Sequence, residues 1–174
     1  MNDQALFLLI EDNENDALLI QRAFFQAKIL NPLLVLHSAE EGMAFFLGTG
    51  RYRNRIEFPL PGLVLLDLKL PGLDGFEFLR WLRNQPGVSS TRVVVLTSSD
   101  AIQDVNHAYK AGANSFLIKP VDFERFVEVS RALNGYWMWM DQPPESARLD
   151  LPSLRMPELP RPAPGTPHPG NPPP

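Results

Sequence analysis

One apolar run that ends in a carboxylate constrains this chain more than any other stretch. Residues 63–66 read Leu-Val-Leu-Leu, a pattern typical of a strand that is buried on both faces of a parallel sheet. Asp67 ends the run, and the turn-forming pairs Pro71-Gly72 and Asp74-Gly75 follow it. The pattern predicts that Asp67 lies at the carboxyl end of a central strand, which is the edge where open α/β sheets bind ligands.

Other short apolar runs alternate with helical patterns along the chain. They cover residues 6–10, 33–36, 92–96 and 115–118. Strands that alternate with amphipathic helices predict an α/β domain, in which a parallel sheet carries helices on both faces. For five strands we expect the doubly wound, flavodoxin-like order 2-1-3-4-5, which places the first strand beside the third.

The composition limits the classes of protein to consider. The chain has 174 residues, of which 44% are hydrophobic and 21% charged, so it can build one packed domain with a tail. A net charge of −4 gives no basic surface for nucleic acid, and the lack of cysteine excludes disulfides and thiolate chemistry. Because no apolar run reaches the ~20 residues of a membrane span and no signal peptide is recognised, we expect a cytoplasmic protein without membrane contact.

The composition changes at Pro143. Of the 18 prolines, 12 lie between Pro143 and Pro174, where the few apolar residues show no period. Such a segment cannot bury enough apolar surface to offset the loss of chain entropy on ordering. We therefore predict a folded domain over residues 1–142 and a disordered proline-rich tail over residues 143–174.

Polar residues end the other strands at the same predicted edge as Asp67. Glu11 and Asp12 follow the first strand, Thr97 the fourth and Lys119 the fifth. Three neighbouring carboxylates repel one another, and a hard divalent cation such as Mg²⁺ relieves the repulsion and leaves room for a phosphate. With a lysine and a hydroxyl beside them, the set suits phosphoryl transfer.

Each of these residues also has a simpler interpretation when it is taken alone. Glu11 and Asp12 suit the positive end of a helix dipole, Thr97 suits a capping stretch, and Asp67 and Lys119-Pro120 suit turns. Their joint occurrence at the ends of four predicted strands is what indicates a site.

With these residues, the chain resembles the receiver domain of two-component response regulators from about residue 6 to residue 133. The resemblance rests on Glu11-Asp12, on Asp67 within L-L-D-L-K-L-P-G-L-D-G, on Thr97-Ser98 and on Lys119-Pro120. The long loop of residues 48–61, and the lack of a recognised output domain, further resemble the single-domain regulators that partner bacterial phytochrome kinases.

The resemblance implies roles for the residues that match. Asp67 is expected to accept a phosphoryl group from a histidine kinase, and Mg²⁺ is expected to bind Asp12, Asp67 and the backbone carbonyl of Lys69, with Glu11 acting through water. Lys119 and Thr97 are expected to bind the phosphoryl oxygens. On this interpretation the protein is a phosphoacceptor regulator and not an enzyme.

Further expectations concern switching. Phe116 matches the aromatic residue that moves together with Thr97 in this family. Glu11 replaces the commoner aspartate, and Lys69 stands where many members carry Asn or Met. We hypothesise that the Lys69 side chain tunes the lifetime of the phosphoryl group.

Two surfaces and two alternatives complete the sequence-based interpretation. A homodimer is expected to use the aromatic segment that includes Tyr136, Trp137 and Trp139. The loop of residues 48–61, with three arginines, is expected to be solvated or to face a partner.

A Mg²⁺-dependent phosphatase that forms an aspartyl phosphate is an alternative that fits the sequence less well, since Lys69 stands where such enzymes have a second Asp. The other alternative is a phosphorylation-independent interaction module of receiver fold.

Overall fold

The predicted strands pair into one parallel sheet in the computed structural model, which describes residues 5–98 and 102–138. The strands are β1 Phe7–Ile10, β2 Leu33–Leu36, β3 Leu63–Asp67, β4 Val93–Thr97 and β5 Ser115–Ile118. Their order is β2-β1-β3-β4-β5, and every neighbouring pair is parallel. The predicted fold class and strand order are confirmed.

Helices connect successive strands and cover both faces of the sheet. They are α1 Glu14–Gln26, α2 Ala39–Leu47, α3 Gly75–Arg83, α4 Ile102–Lys110 and α5 Phe123–Met138, with a 3-10 turn at Gly50–Arg53. Helices α1 and α5 pack on one face, whereas α2, α3 and α4 pack on the other. Because both faces are covered, β1, β3 and β4 are buried along their whole lengths, as their continuous apolar runs predict.

Local caps fix where the helices begin after the strand ends. The Asn13 side chain accepts hydrogen bonds from the backbone amides of Asn15 and Asp16 and so starts α1. Asp74 and Glu77 form a reciprocal capping box at the start of α3. These caps hold the loops after β1 and β3 in short, defined conformations at the carboxyl edge of the sheet.

The loop of residues 48–61 differs from its prediction. Tyr52 is only 3% exposed, and its ring packs edge-on against Phe45 and Phe58 at centroid distances of 5.3 and 5.2 Å. The half-buried Arg55 guanidinium donates hydrogen bonds to the backbone carbonyls of Phe45, Phe46 and Phe58. The expectation of a solvated loop is wrong at Tyr52 and Arg55, because carbonyls left free at the end of α2 attract a guanidinium.

Two predictions fall on residues whose structure is not described. The proline-rich tail lies beyond residue 138, and Trp139 lies there as well. Tyr136 and Trp137 lie in the last turn of α5, where only the backbone is described. Within residues 5–98 and 102–138, no helix combines the length and apolar character that crossing a bilayer requires.

Candidate functional site

The register of the sheet brings the predicted site residues to one edge. Ile10 of β1 pairs with Leu66 of β3, so Glu11 and Asp67 follow side by side. Thr97 of β4 pairs with Ile118 of β5, and Lys119 follows directly. The convergence inferred from the strand ends is therefore present in the fold.

Three carboxylates form the acidic part of this edge. Glu11, Asp12 and Asp67 each offer one oxygen, and these oxygens lie within 4.8 Å of one another. Glu11 and Asp67 are buried, at 1% and 6% exposure, whereas Asp12 is open to solvent. Hard oxygen donors with one solvent-facing member fit a divalent cation that keeps some of its waters.

Lys119 is the cation that neutralises part of this charge. Its Nζ atom lies 2.5 Å from Glu11 Oε2, 2.8 Å from Asp16 Oδ2 and 2.9 Å from Asp67 Oδ2. Burial lowers the pKa of Lys119, but hydrogen bonds to Asp16, Glu11 and Asp67 outweigh it and raise that pKa above its ordinary value. Lys119 is thus an ammonium ion with three carboxylate partners.

Glu11 is a buried carboxyl group of this edge whose surroundings raise its pKa. Burial raises the pKa of Glu11 to about 7, the hydrogen bond from Lys119 opposes the rise, and the negative charge of Asp67 adds to it. The acids outnumber the single lysine, so the edge retains an excess of negative charge that favours binding of a cation.

Asp67 itself is held from two sides. The backbone amide of Lys69 donates a hydrogen bond to Asp67 Oδ1 over 3.1 Å, and Lys119 binds Oδ2. Behind it, α3 begins so close to β3 that a Cβ atom built on Gly75 would lie 2.3 Å from the Asp67 carbonyl oxygen. Only glycine permits this approach of two backbones, which fixes where Asp67 projects.

Thr97 and Phe116 lie where the sequence predicts, on neighbouring strands. Thr97 is fully buried at the end of β4, and its carbonyl oxygen accepts a hydrogen bond of 2.7 Å from the Lys119 amide. Phe116 is partly buried and packs against the core beneath α2, α3 and α4. Their coupled movement stays a prediction, as do the individual roles of Asp12, Lys69 and Lys119.

The sequence-based site lacks two residues that the structure adds. Asp16 reaches Lys119 from the first turn of α1, and His37 Nδ1 lies 3.1 Å from the carbonyl oxygen of Glu11. A signal for Asp16 was available, since it follows Asp12 by four residues at the start of a predicted helix. His37 follows directly after β2, a strand whose polar end carries no residue of the sequence-predicted site.

Comparisons with known proteins point to one family. Residues 7–131 match the family model described as the response regulator receiver domain. Response regulator Rcp1 of Synechocystis sp. is 32% identical over 137 residues, which are 79% of this chain and 91% of Rcp1. A probable methanogenesis regulatory protein, FilR2 of Methanothrix harundinacea, is 34% identical over 146 residues, 83% of this chain and 91% of FilR2.

Solved structures agree with these relatives. Response regulator RPA3017, described in red light signaling of R. palustris, superposes with a TM-score of 0.76 at 32% identity, covering 80% of this chain and 98% of its own. The phosphorylated cyanobacterial phytochrome response regulator RcpA gives 0.73 at 28% identity, covering 81% and 99%. The Mn²⁺-bound form of Rcp1 gives 0.70 at 31% identity, covering 80% and 99%.

Proposed function

The chain belongs to the response regulator receiver domain family and is related to phytochrome response regulators, and on this premise we propose that Asp67 is its phosphoacceptor. One observation carries the proposal. Asp67 is a buried carboxylate at the edge of the sheet, with the Lys119 ammonium on one oxygen and the Lys69 amide on the other. Donors on both oxygens hold the carboxylate in one orientation for attack on phosphorus.

The proposed reaction is transfer of a phosphoryl group from a phosphohistidine. An Asp67 carboxylate oxygen forms a bond to phosphorus while the N–P bond of the donor breaks, and the electron pair of that bond stays on the imidazole nitrogen. Water later attacks phosphorus and loses a proton to solvent while the bond between phosphorus and the Asp67 oxygen breaks, which restores the Asp67 carboxylate and releases inorganic phosphate. Lys119 and Thr97 bind the phosphoryl oxygens in the acyl phosphate state.

The proposed cofactor is Mg²⁺, held by Asp12, Asp67 and the backbone carbonyl of Lys69, with Glu11 acting through water. The oxygen donors of the acidic cluster support this assignment, as does a solved structure of the relative Rcp1 in an Mn²⁺-bound form. When bound, the ion neutralises negative charge on the carboxylates and on the incoming phosphoryl group.

The proposed partner is a histidine kinase of the bacterial phytochrome type, in the cytoplasm. Red light signaling by RPA3017 and the phytochrome assignment of RcpA support this choice. The regulator passes the signal on by a change of surface that involves Thr97 and Phe116. FilR2 carries a different regulatory assignment, so transfer of a phosphoryl group from an autophosphorylated phytochrome kinase is the assay that tests this partner.

Phosphoryl uptake tests the central proposal. We expect the full chain, incubated with Mg²⁺ and acetyl phosphate, to gain one phosphoryl group by intact mass, and Asp67→Asn to gain none. Glu57→Gln is the matched control, because Glu57 is exposed and makes no ion pair within residues 5–98 and 102–138, and it should behave as the parent. Folded parent protein that gains no mass would favour the phosphorylation-independent interaction module instead.

Two lesser proposals have tests of their own. Lys69→Ala should change the half-life of the acyl phosphate, because the exposed Lys69 side chain follows Asp67 by two residues and can influence how water approaches; an unchanged half-life would exclude this role. A homodimer through Tyr136, Trp137 and Trp139 should appear by sedimentation in the parent. It should be lost in the double variant Trp137→Ala with Trp139→Ala.

A further inference from the structure

Every donor of the Lys119 ammonium is already in use before any phosphoryl group arrives. A lysine ammonium has three N–H donors, and Lys119 Nζ lies within 2.9 Å of oxygens from Glu11, Asp16 and Asp67. Phosphorylation of Asp67 adds negative charge and acceptor oxygens beside this ammonium. One of the three N–H groups already points to Asp67 and can serve its phosphoryl group. For a second N–H group to bind the phosphoryl oxygens, Lys119 must release Glu11 or Asp16.

The three partners differ in how firmly they are held. Glu11 is buried, and its second carboxylate oxygen accepts a hydrogen bond from the Asn13 amide over 3.1 Å. Asp67 is buried and bonded to the Lys69 amide. The Asp16 side chain is 40% exposed, so water is at hand to replace its bond to Lys119. Asp16 is the partner that leaves at the lowest free-energy cost.

We propose that Asp16 is the exchangeable counter-ion of Lys119: it binds the lysine in the unphosphorylated protein and releases it when Asp67 carries a phosphoryl group. The inference rests on the proposed function and deepens it. Asp16 does not touch the reacting atoms in this scheme, so it is a positioning residue. It favours the unphosphorylated state by competing for the donor that the phosphoryl group needs.

Release of Lys119 by Asp16 affects the first turn of helix α1. Asp16 stands in the first turn of α1, directly before Ala17, which is buried against the sheet, and Leu18, which is exposed. Loss of the bond to Lys119 changes the environment of this turn. Helix α1 thereby reports the state of Asp67 by a path separate from Thr97 and Phe116.

Binding of beryllium fluoride, a phosphoryl mimic, measures the competition as an equilibrium. At saturating Mg²⁺, Asp16→Asn should bind beryllium fluoride about threefold more tightly than the parent, the size expected for a partly exposed ion pair. Asp16→Glu, which keeps the carboxylate, should return towards the parent affinity. Glu14→Gln is the matched control: it removes one exposed acid from the same helical turn, without an ion pair in the described part of the chain, and should change nothing.

A spectroscopic readout separates positioning from mere stability. Backbone amide resonances of Ala17 and Leu18 should shift when beryllium fluoride binds the parent and should shift less in Asp16→Asn. Equal or weaker affinity of Asp16→Asn, beside a parent that binds the mimic and takes up phosphoryl, would overturn the role of Asp16 and leave the phosphoacceptor intact. A folded parent that neither binds the mimic nor takes up phosphoryl would overturn both.

Discussion

Two polar clusters on this domain have opposite charge balances. At the sheet edge, one lysine serves the carboxylates of Glu11, Asp16 and Asp67, with Asp12 close by. Beside α2, a single carboxylate, Glu41, accepts from the Arg51 guanidinium, the Tyr52 hydroxyl and the His37 amide. The first cluster keeps unneutralised negative charge, whereas the second matches its one carboxylate with donors.

The cluster at the sheet edge is suited to binding a cation, whereas the Glu41 cluster stabilises the fold. Crowded carboxylates raise the free energy of the folded protein until a cation arrives, and that penalty is released as binding free energy. The Glu41 cluster and the Arg55 guanidinium NH₂ groups are held by contacts within the protein, and they secure the loop of residues 48–61 to α2. Variants in the two regions should therefore differ in whether Mg²⁺ changes their effect.

The largest effect is expected at Lys119. Lys119→Met leaves Glu11 and Asp67 buried without their cation, which should lower the free energy of unfolding by roughly 3 kcal/mol in a chelator. Excess Mg²⁺ should restore part of that loss, because it takes over the neutralisation. Urea unfolding with and without Mg²⁺ measures both values, with the exposed Lys110→Met as control. A loss that Mg²⁺ leaves unchanged would contradict an acidic cluster that binds the ion.

Arg55 should give the next largest effect, in the other region. Arg55→Ala removes guanidinium hydrogen bonds to the carbonyls of Phe45, Phe46 and Phe58, for an expected loss of about 2 kcal/mol in unfolding free energy. Phosphoryl uptake should persist and Mg²⁺ should not rescue the loss. The exposed Arg53→Ala is the control in the same loop. Equal stability of the two variants would mean that Arg55 does not secure this loop.

The pH dependence of stability should separate the two glutamates. Burial is the chief cause that raises the pKa of Glu11 to about 7, so the folded protein favours the protonated carboxyl group. The stability that Glu11 contributes is therefore fully present below its ordinary pKa of 4.5 and is lost as the pH rises through about 7. For Glu41, burial acts to raise the pKa, but the His37 amide and the Tyr52 hydroxyl outweigh it and lower the net value. Its contribution is present above 4.5 and is lost as pH falls.

Unfolding of the metal-free protein at several pH values measures this difference. Between pH ~5 and pH ~8 we expect a loss on the order of 1 kcal/mol that Glu11→Gln abolishes. Glu41→Gln should not alter the loss of stability between these pH values. It should instead reduce the loss of stability that occurs as the pH falls below 4.5. A parent whose metal-free stability rises over the same range would contradict the raised pKa of Glu11.

The smallest effect is expected at Tyr52. Tyr52→Phe keeps the buried ring but removes the hydroxyl that lies 2.7 Å from Glu41 and 2.6 Å from Arg51. The expected loss in unfolding free energy is about 1 kcal/mol, the usual value for one hydrogen bond, because the exposed Arg51 can bond to water in place of the hydroxyl. Thermal unfolding monitors it, beside Tyr109→Phe at an exposed tyrosine as control. A loss as large as that of Arg55→Ala would mean that the hydroxyl holds more of the loop than its two bonds indicate.

The sequence predicts one of these regions much better than the other. The apolar runs and their polar ends indicated the sheet, its order and the edge where Asp67 meets Glu11, because in a parallel sheet the strand direction alone determines which residues converge. Arg55 and Tyr52 were misjudged because their burial depends on how the loop folds back, and the glycines, arginines and prolines of residues 48–61 carry no signal of that. Asp16 was missed because it lies in the first turn of α1 and not directly after a strand, where the rule of converging strand ends applies.

The close approach of Gly75 to Asp67 also has a consequence for inheritance. Any base substitution that changes a glycine codon to another amino acid adds at least one carbon, and here the first carbon meets the Asp67 carbonyl oxygen at 2.3 Å. Every amino acid that a single base change can place at position 75 therefore clashes with the Asp67 carbonyl oxygen. Spontaneous loss-of-signal alleles should therefore recur at position 75 even though its residue takes no part in the chemistry, and such alleles would be mistaken for active-site mutations in a genetic screen.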